Sequence, residues 1–189
     1  MNVEPATFEQ LASDLRPRVL RYLSRFVGAT EAEDLAQEVF LKVHKGMSSF
    51  RGEATWSTWV FQVATHAAMD RLKSASHRAS RAAFPETVLD QDASRAHPSH
   101  EGQPAKEEMC RCIRNHVDEL PLTDRTILRL CDLEELQLEE VARVLEITQG
   151  SVKIRLHRAR KRLRGLLEQD CRILLDQDAE LHCDLRGRD

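Results

Sequence analysis

The sequence predicts an all-α protein: two small helical domains joined by a flexible linker, the C-terminal one a helix-turn-helix. Three observations carry this. Apolar residues recur every three or four positions through both halves of the chain, the spacing of one helix face. Aromatics are few, at 5%, while the good helix formers Leu, Ala, Arg and Glu are common. Between the halves, residues 83–105 scatter Pro85, Pro98, Gly102 and Pro104 among Asp, Ser, His and Gln with no sustained period, the composition of a mobile linker.

Taken in order, Phe8, Leu11, Leu15, Val19, Tyr22 and Phe26 mark a first helix, with a kink or break expected at Pro17. Gly28-Ala29-Thr30 ends it, and Thr30 with Glu33 reads as a capping box opening the next. In EAEDLAQEVFLKVHK the buried stripe is Ala32, Leu35, Val39 and Val43. Asp34, Gln37, Glu38 and Leu41 share the opposite side. Spacing alone leaves two readings of that side: a solvated acidic face with an ordinary exposed leucine, or a partner surface with an apolar anchor. The stretch TWSTWVFQVATHAAMDRLK places Trp56, Trp59, Val60, Val63, Ala64 and Ala67 on one face. Both tryptophans read as core rather than base-stacking platforms. A basic run follows, of Arg71, Lys73, His77, Arg78 and Arg81.

After the linker, Met109, Ile113, Val117 and Leu120 form a stripe. Cys110 and Cys112, two positions apart on that helix, point to different sides and read as structural. Pro121 starts a new element with Thr123 as its expected N-cap, carrying Ile127, Leu128, Leu130 and Cys131 inward. Leu138, Val141, Ala142 and Leu145 give a short helix, and Glu146–Gly150 a tight turn. Thr148 caps the last long helix, whose apolar stripe is Val152, Leu156, Ala159, Leu163 and Leu166. Lys153, Arg155, Arg158, Arg160, Lys161, Arg162 and Arg164 lie between, with no acid from Ile147 to Leu167. At about 100° per residue, Ser151, Ile154, Arg158 and Lys161 oppose the stripe. A helix with one apolar and one cationic side suits a membrane surface, an acidic partner or nucleic acid. Helix, short turn, basic helix is the arrangement whose second helix enters the major groove. The resulting domains are 1–82, 106–168 with the helix-turn-helix, and a tail 169–189.

The net charge of −3 hides an asymmetry, for the bases cluster at 71–81 and 153–164, an electrostatic footprint for nucleic acid. No apolar run nears the roughly 18 residues needed to span a bilayer, and MNVEPATFEQ lacks the pattern of a signal peptide, so no membrane insertion and a cytoplasmic location are expected. Five cysteines without framework spacing are expected to be mostly thiols there. Seven unclustered glycines, no nucleophile motif and no paired histidines on one helix face leave no catalytic site and no cofactor. Asp34 and Glu38 have no companion ligands. In the tail Cys171, His182 and Cys183 are weak metal candidates. A fourth zinc ligand would come from Cys110, Cys112, His157 or a partner chain, and a disulfide is the other use of the thiols. The alternative is a frayed terminus with idle thiols.

GSVKIRLHRARKRL resembles the promoter-reading helix of bacterial RNA polymerase sigma factors, closest to the extracytoplasmic-function group of the sigma-70 family. LPLTDRTILRLCDLEELQLEEVARVLEIT is similar to the rest of that family's C-terminal (region 4) domain, and AEDLAQEVFLKVH to the segment that grips the polymerase clamp. The resemblance implies that Asp34, Gln37, Glu38 and Leu41 contact core polymerase. It implies that His66, Arg71, Lys73 and Arg78 serve the region 2 helix that reads the downstream (−10) promoter element. Ser151, Lys153, Ile154, Arg155, Arg158 and Lys161 would then read the upstream (−35) element. Two positions depart from the family: His66 stands where asparagine is common, and Ile154 where a small polar residue is. The implied partners are core RNA polymerase, promoter DNA and an anti-sigma factor, and the implied function is an alternative sigma factor. The competing reading is a stand-alone helix-turn-helix regulator, which has no need of the N-terminal block.

Overall fold

The computed structural model describes residues 7–81, 104–175 and 181–185, with side chains for 7–74 and 112–169. Its helices are α1 (Phe8–Val27), α2 (Ala29–Gly46), α3 (Trp56–Arg81), α4 (Pro104–Glu119), α5 (Leu122–Leu128), α6 (Leu138–Val144) and α7 (Gln149–Asp170). A 3-10 turn, Met47–Ser49, follows α2, and a π turn, Arg129–Leu133, extends α5. The helical class is as the sequence implies. The tail adds an antiparallel hairpin, β1 (Cys171–Leu175) with β2 (Leu181–Leu185), which periodicity did not announce. The chain divides into two compact units, one of Met1–Arg95 with Glu139–Ile147, the other of Ala96–Leu138 with Thr148–Asp189.

In the first unit α1, α2 and α3 pack on one another. Most of each predicted stripe is buried: Leu11, Leu15, Val19, Tyr22 and Phe26 from α1, Ala32, Leu35, Val39 and Val43 from α2, and Val60, Ala64 and Ala67 from α3, while Phe8 and Val63 are half-buried. The Thr65 hydroxyl donates to the Phe61 carbonyl at 2.7 Å, and the Tyr22 hydroxyl donates to Thr65 at 2.9 Å, so both of these buried hydroxyls are partnered. Helix α1 runs unbroken through Pro17. Ser13 and Pro17 are both exposed, so the carbonyl that proline leaves without a donor faces water.

Gly28, not Thr30, caps α2. Its φ of +82° lets one residue close α1 and open α2. Its N–H donates to Ser24 and its carbonyl accepts from Ala32, each at 3.1 Å. Thr30 therefore lies inside the first turn, where its hydroxyl has no cap to make. Gly46 is demanded by packing, since a Cβ there would sit 2.8 Å from the Trp59 ring. Trp56 and Trp59 are half-buried and build an aromatic cluster with Phe50, whose ring stacks on Trp56 at 3.9 Å. They thus form the margin of the core rather than its interior, and Val60 and Phe61 form its centre.

In the second unit α5 packs on α7, α4 lies beside α7 and β2, and β1 adjoins α7. Val152, Leu156 and Ala159 of α7 are buried. Leu163 and Leu166 are half-buried. The inward face of α4 is Cys112, His116, Val117 and Leu120, while Ile113 is exposed. That is a rotation of the expected stripe, because the elements flanking a helix decide which of its edges is covered. Pro121 is the cap residue of α5: Asp124 and Arg125 N–H groups both donate to its carbonyl, at 2.9 and 3.0 Å. Thr123 sits within that first turn and caps nothing. Arg129, only 2% exposed, is neutralised by Asp118, and the buried Asp124 by Arg162.

Candidate functional site

On α2 the four outward residues named from the sequence fall together. Asp34, Gln37, Glu38 and Leu41 are all exposed, and Leu41 is 61% exposed, a large apolar side chain amid carboxylates. It is outward because Ala32, Leu35, Val39 and Val43 take the inward positions of an α-helix.

Helix α3 presents His66 and Lys73 as exposed residues. Its N-terminus is capped by Thr55, whose Oγ1 accepts from the Thr58 N–H at 3.0 Å. Arg71 is not a free cation. Its guanidinium spans Glu31 and Glu38 of α2, both at 3.0 Å. His66 Nε2 lies 3.7 Å from Glu146 within the same unit, and Gln62 donates to that carboxylate at 3.2 Å. No sequence signal links Arg71 to acids on the preceding helix, since the pairing is made by the α2–α3 contact. Arg78 belongs to α3, but its side chain lies outside the described residues.

The turn into α7 has the chemistry the sequence anticipates. Leu145, Glu146 and Ile147 N–H groups return to Val141, Arg143 and Ala142 carbonyls, and Glu146 takes a φ of +54°. Thr148 then caps α7: its Oγ1 accepts from the Ser151 N–H at 3.2 Å. Lys153, Ile154, Arg155, Arg158 and Lys161 are exposed and Ser151 is half-buried, with Ile154 at 56%.

The bases of α7 divide into two sets. Arg160 pairs with Asp132, Arg162 with Asp124 and Arg164 with Glu168. Lys153, Arg155, Arg158 and Lys161 form no ion pair among the described residues. A partner meeting this helix therefore meets net positive charge toward its N-terminal half, with one isoleucine in the middle of it. Beside this surface, burial and then Asp132 push the Cys131 thiol up to about 11, so it stays protonated at neutral pH.

Of the tail residues, Cys171 begins β1, and His182 and Cys183 lie on β2; their side chains are outside the described residues. Among the described residues there is no cluster of three or more metal-ligating groups, and no helix long and apolar enough to cross a membrane.

Two family models match the sequence: Sigma-70 region 2 over residues 11–78, and Sigma-70, region 4 over residues 110–163. The RNA polymerase sigma-H factor of Pseudomonas aeruginosa is 30% identical over 170 residues, covering 85% of this chain and 86% of that protein. The ECF RNA polymerase sigma factor SigW of Bacillus subtilis is 27% identical over 173 residues, 85% of this chain and 88% of that one. In fold the chain is similar to the sigma factor RpoE of Bartonella quintana, solved in complex with the anti-sigma factor NepR, with a TM-score of 0.69, 21% identity, and coverage of 85% of this chain and 96% of that one. It is similar too to CnrH, solved with the cytosolic domain of CnrY, with a TM-score of 0.60, 20% identity, and coverage of 86% and 88%. With both regions matched in one chain, and a relative at this identity along most of its length, the protein belongs to the extracytoplasmic-function group of the sigma-70 family of RNA polymerase sigma factors.

Proposed function

We propose that this chain is an alternative sigma factor that binds core RNA polymerase through the outward face of α2 and directs it to promoters read by α3 and α7. The observation that carries the reading is the pairing of a region 2 match and a region 4 match in one chain. A stand-alone regulator needs only the second. The division of labour is 1–82 for core binding and the downstream element, 83–105 as linker, 106–168 for the upstream element, and 169–189 as a tail. On α2, Asp34, Gln37 and Glu38 surround Leu41, a charged rim about an apolar anchor. On α7, Lys153, Arg155, Arg158 and Lys161 meet phosphate and base edges, with Ser151 and Ile154 facing the groove.

The chain itself performs no chemistry in this reading and takes no cofactor; nucleotide transfer belongs to the polymerase. It works in the cytoplasm, where promoters are. The similar fold solved with the anti-sigma factor NepR supports an anti-sigma factor for this chain also. Run-off transcription with purified core polymerase tests the proposal. Specific transcripts that appear only when the chain is added support it. Specific duplex binding by the chain alone, with no transcript on any promoter, overturns it in favour of a regulator.

A further inference from the structure

We propose, on the reading of α2 as the polymerase face, that Arg71 serves core binding and not promoter reading. It is a positioning residue that holds Glu38 in place on that face, with Glu31 as its second anchor. Helical geometry sets Arg71 apart from the other α3 residues expected at DNA. At about 100° per residue, it lies about 140° around the helix from His66 and about 160° from Lys73. Those two are exposed, while Arg71 is half-buried and turned toward α2.

What Arg71 meets on α2 is one edge of the polymerase face. Glu31 and Glu38 are two helical turns apart, which places them within about 20° of each other along α2. Arg71 Nη1 donates to Glu31 Oε1 and Nη2 to Glu38 Oε1, each at 3.0 Å. Among the described residues Arg71 has no other partner, and neither acid has any besides Arg71. The planar guanidinium is thus fixed at two points, a use of its fork that an ammonium does not offer. Glu38 is held through one oxygen. Its Oε2 makes no bond among the described residues, and Leu41, three positions on, is its neighbour on the helix surface.

An exposed glutamate samples several rotamers, and a partner that needs one of them bears the entropy of selecting it. Arg71 moves that loss into folding, so the partner meets a carboxylate already placed beside its apolar anchor. The pair is also within reach. Glu38 and Arg71 line an open groove of about 280 Å³ together with Leu35, Lys42, Ala67 and Asp70, so a partner side chain can approach Glu38 from solvent.

The test measures binding of the full-length chain to purified core RNA polymerase, beside thermal denaturation of each variant. Arg71→Ala should weaken core binding about fivefold, the cost of selecting one side-chain rotamer afresh. Glu31→Gln keeps the shape of the side chain and removes one anchor, and should weaken binding about twofold although Glu31 lies outside the face. Glu33→Gln makes the same change of charge but frees Arg16 of α1 instead, and should leave core binding unchanged. In a Glu38→Ala background, Arg71→Ala should add no further loss, because Arg71 acts through Glu38. A mere brace between α2 and α3 would keep its effect in that background. For DNA, the chain alone is titrated with a short labelled duplex of random sequence at several salt concentrations, and Arg71→Ala should leave the salt slope as in wild type. Any of three results overturns the proposal: unchanged core binding by Arg71→Ala, losses that add in the Glu38→Ala background, or a salt slope lowered by about 1. If Arg71→Ala fails to fold, Glu31→Gln, alone and with Glu38→Ala, decides the matter by the same criteria. A wild-type chain that binds no core polymerase overturns the function proposed above and this assignment with it, whereas the three results leave that function standing.

Discussion

The outward face of α2 and the outward face of α7 are built alike and charged differently. Each sets one large exposed apolar side chain among charges: Asp34 and Glu38 precede Leu41 with Lys45 one turn after it, while the charges about Ile154 are all basic. They differ in what the rest of the protein does to those charges. On α2, Glu38 is half-neutralised by Arg71. On α7, Lys153, Arg155, Arg158 and Lys161 have no acid beside them among the described residues, while Arg160, Arg162 and Arg164 do. The lesson is that a run of like charges is not yet a binding surface. Folding withdraws some members into internal pairs, and the remainder faces the partner. A mixed and partly paired rim about an exposed leucine suits a protein partner, where a buried apolar anchor dominates affinity. An uncompensated basic rim suits a polyanion, where phosphate contacts dominate.

The largest expected effect separates anchor from core on α2. Leu41→Arg should lower affinity for core polymerase by about 3 kcal/mol, roughly a hundredfold in Kd, with no change in melting temperature. Leu35→Ala, at a buried position of the same helix, should do the reverse and lose about 3 kcal/mol of stability. Titration of core polymerase beside thermal denaturation checks both, and unaltered binding by Leu41→Arg would break the comparison at its first member.

Next is Arg158→Ala, which should cost about 2 kcal/mol of promoter affinity. If Arg158 reads a base, discrimination at one promoter position relaxes. If it holds phosphate, the loss is uniform across sequences and the salt slope falls by about 1. Binding isotherms at several salt concentrations distinguish the two.

Ile154→Ser sharpens the apolar half of the comparison. Packing on a thymine methyl is worth about 1 kcal/mol, so the variant should weaken binding only to promoters carrying that thymine. Equal loss on every substituted promoter removes the methyl contact. Smallest is Arg160→Ala. Its exposed pair with Asp132 should contribute under about 1 kcal/mol to stability, and promoter affinity should change much less than for Arg158→Ala. A loss matching that of Arg158 would mean that the internal pair does not withdraw Arg160 from DNA.

Much of both surfaces was legible before folding. Leu41 and Ile154 are outward because helical periodicity places them opposite filled apolar stripes, and nothing in the tertiary structure overrides that. Thr148 reads correctly as a cap because its side chain bonds its own local backbone. Thr30 and Thr123 were misread as caps for the opposite reason. The breaks fell earlier, at a glycine with positive φ and at a proline, and the helices had already begun. The terminal hairpin was not legible either, since a short apolar run such as CRILL fits a strand or a helix end equally well.

By itself the sequence determined the helices and, α4 apart, the side most of them turn inward, because these depend on spacings of three and four along one chain. Only the tertiary structure decided which charges stay available, since Arg71 meets Glu31 and Glu38, and Arg162 meets Asp124, across elements distant in sequence. It likewise turned Cys112 and His116 inward on α4 and left Ile113 outside. Periodicity is a property of one element and can be read from it. Pairing is a property of two, and exists only once packing has chosen which of them meet.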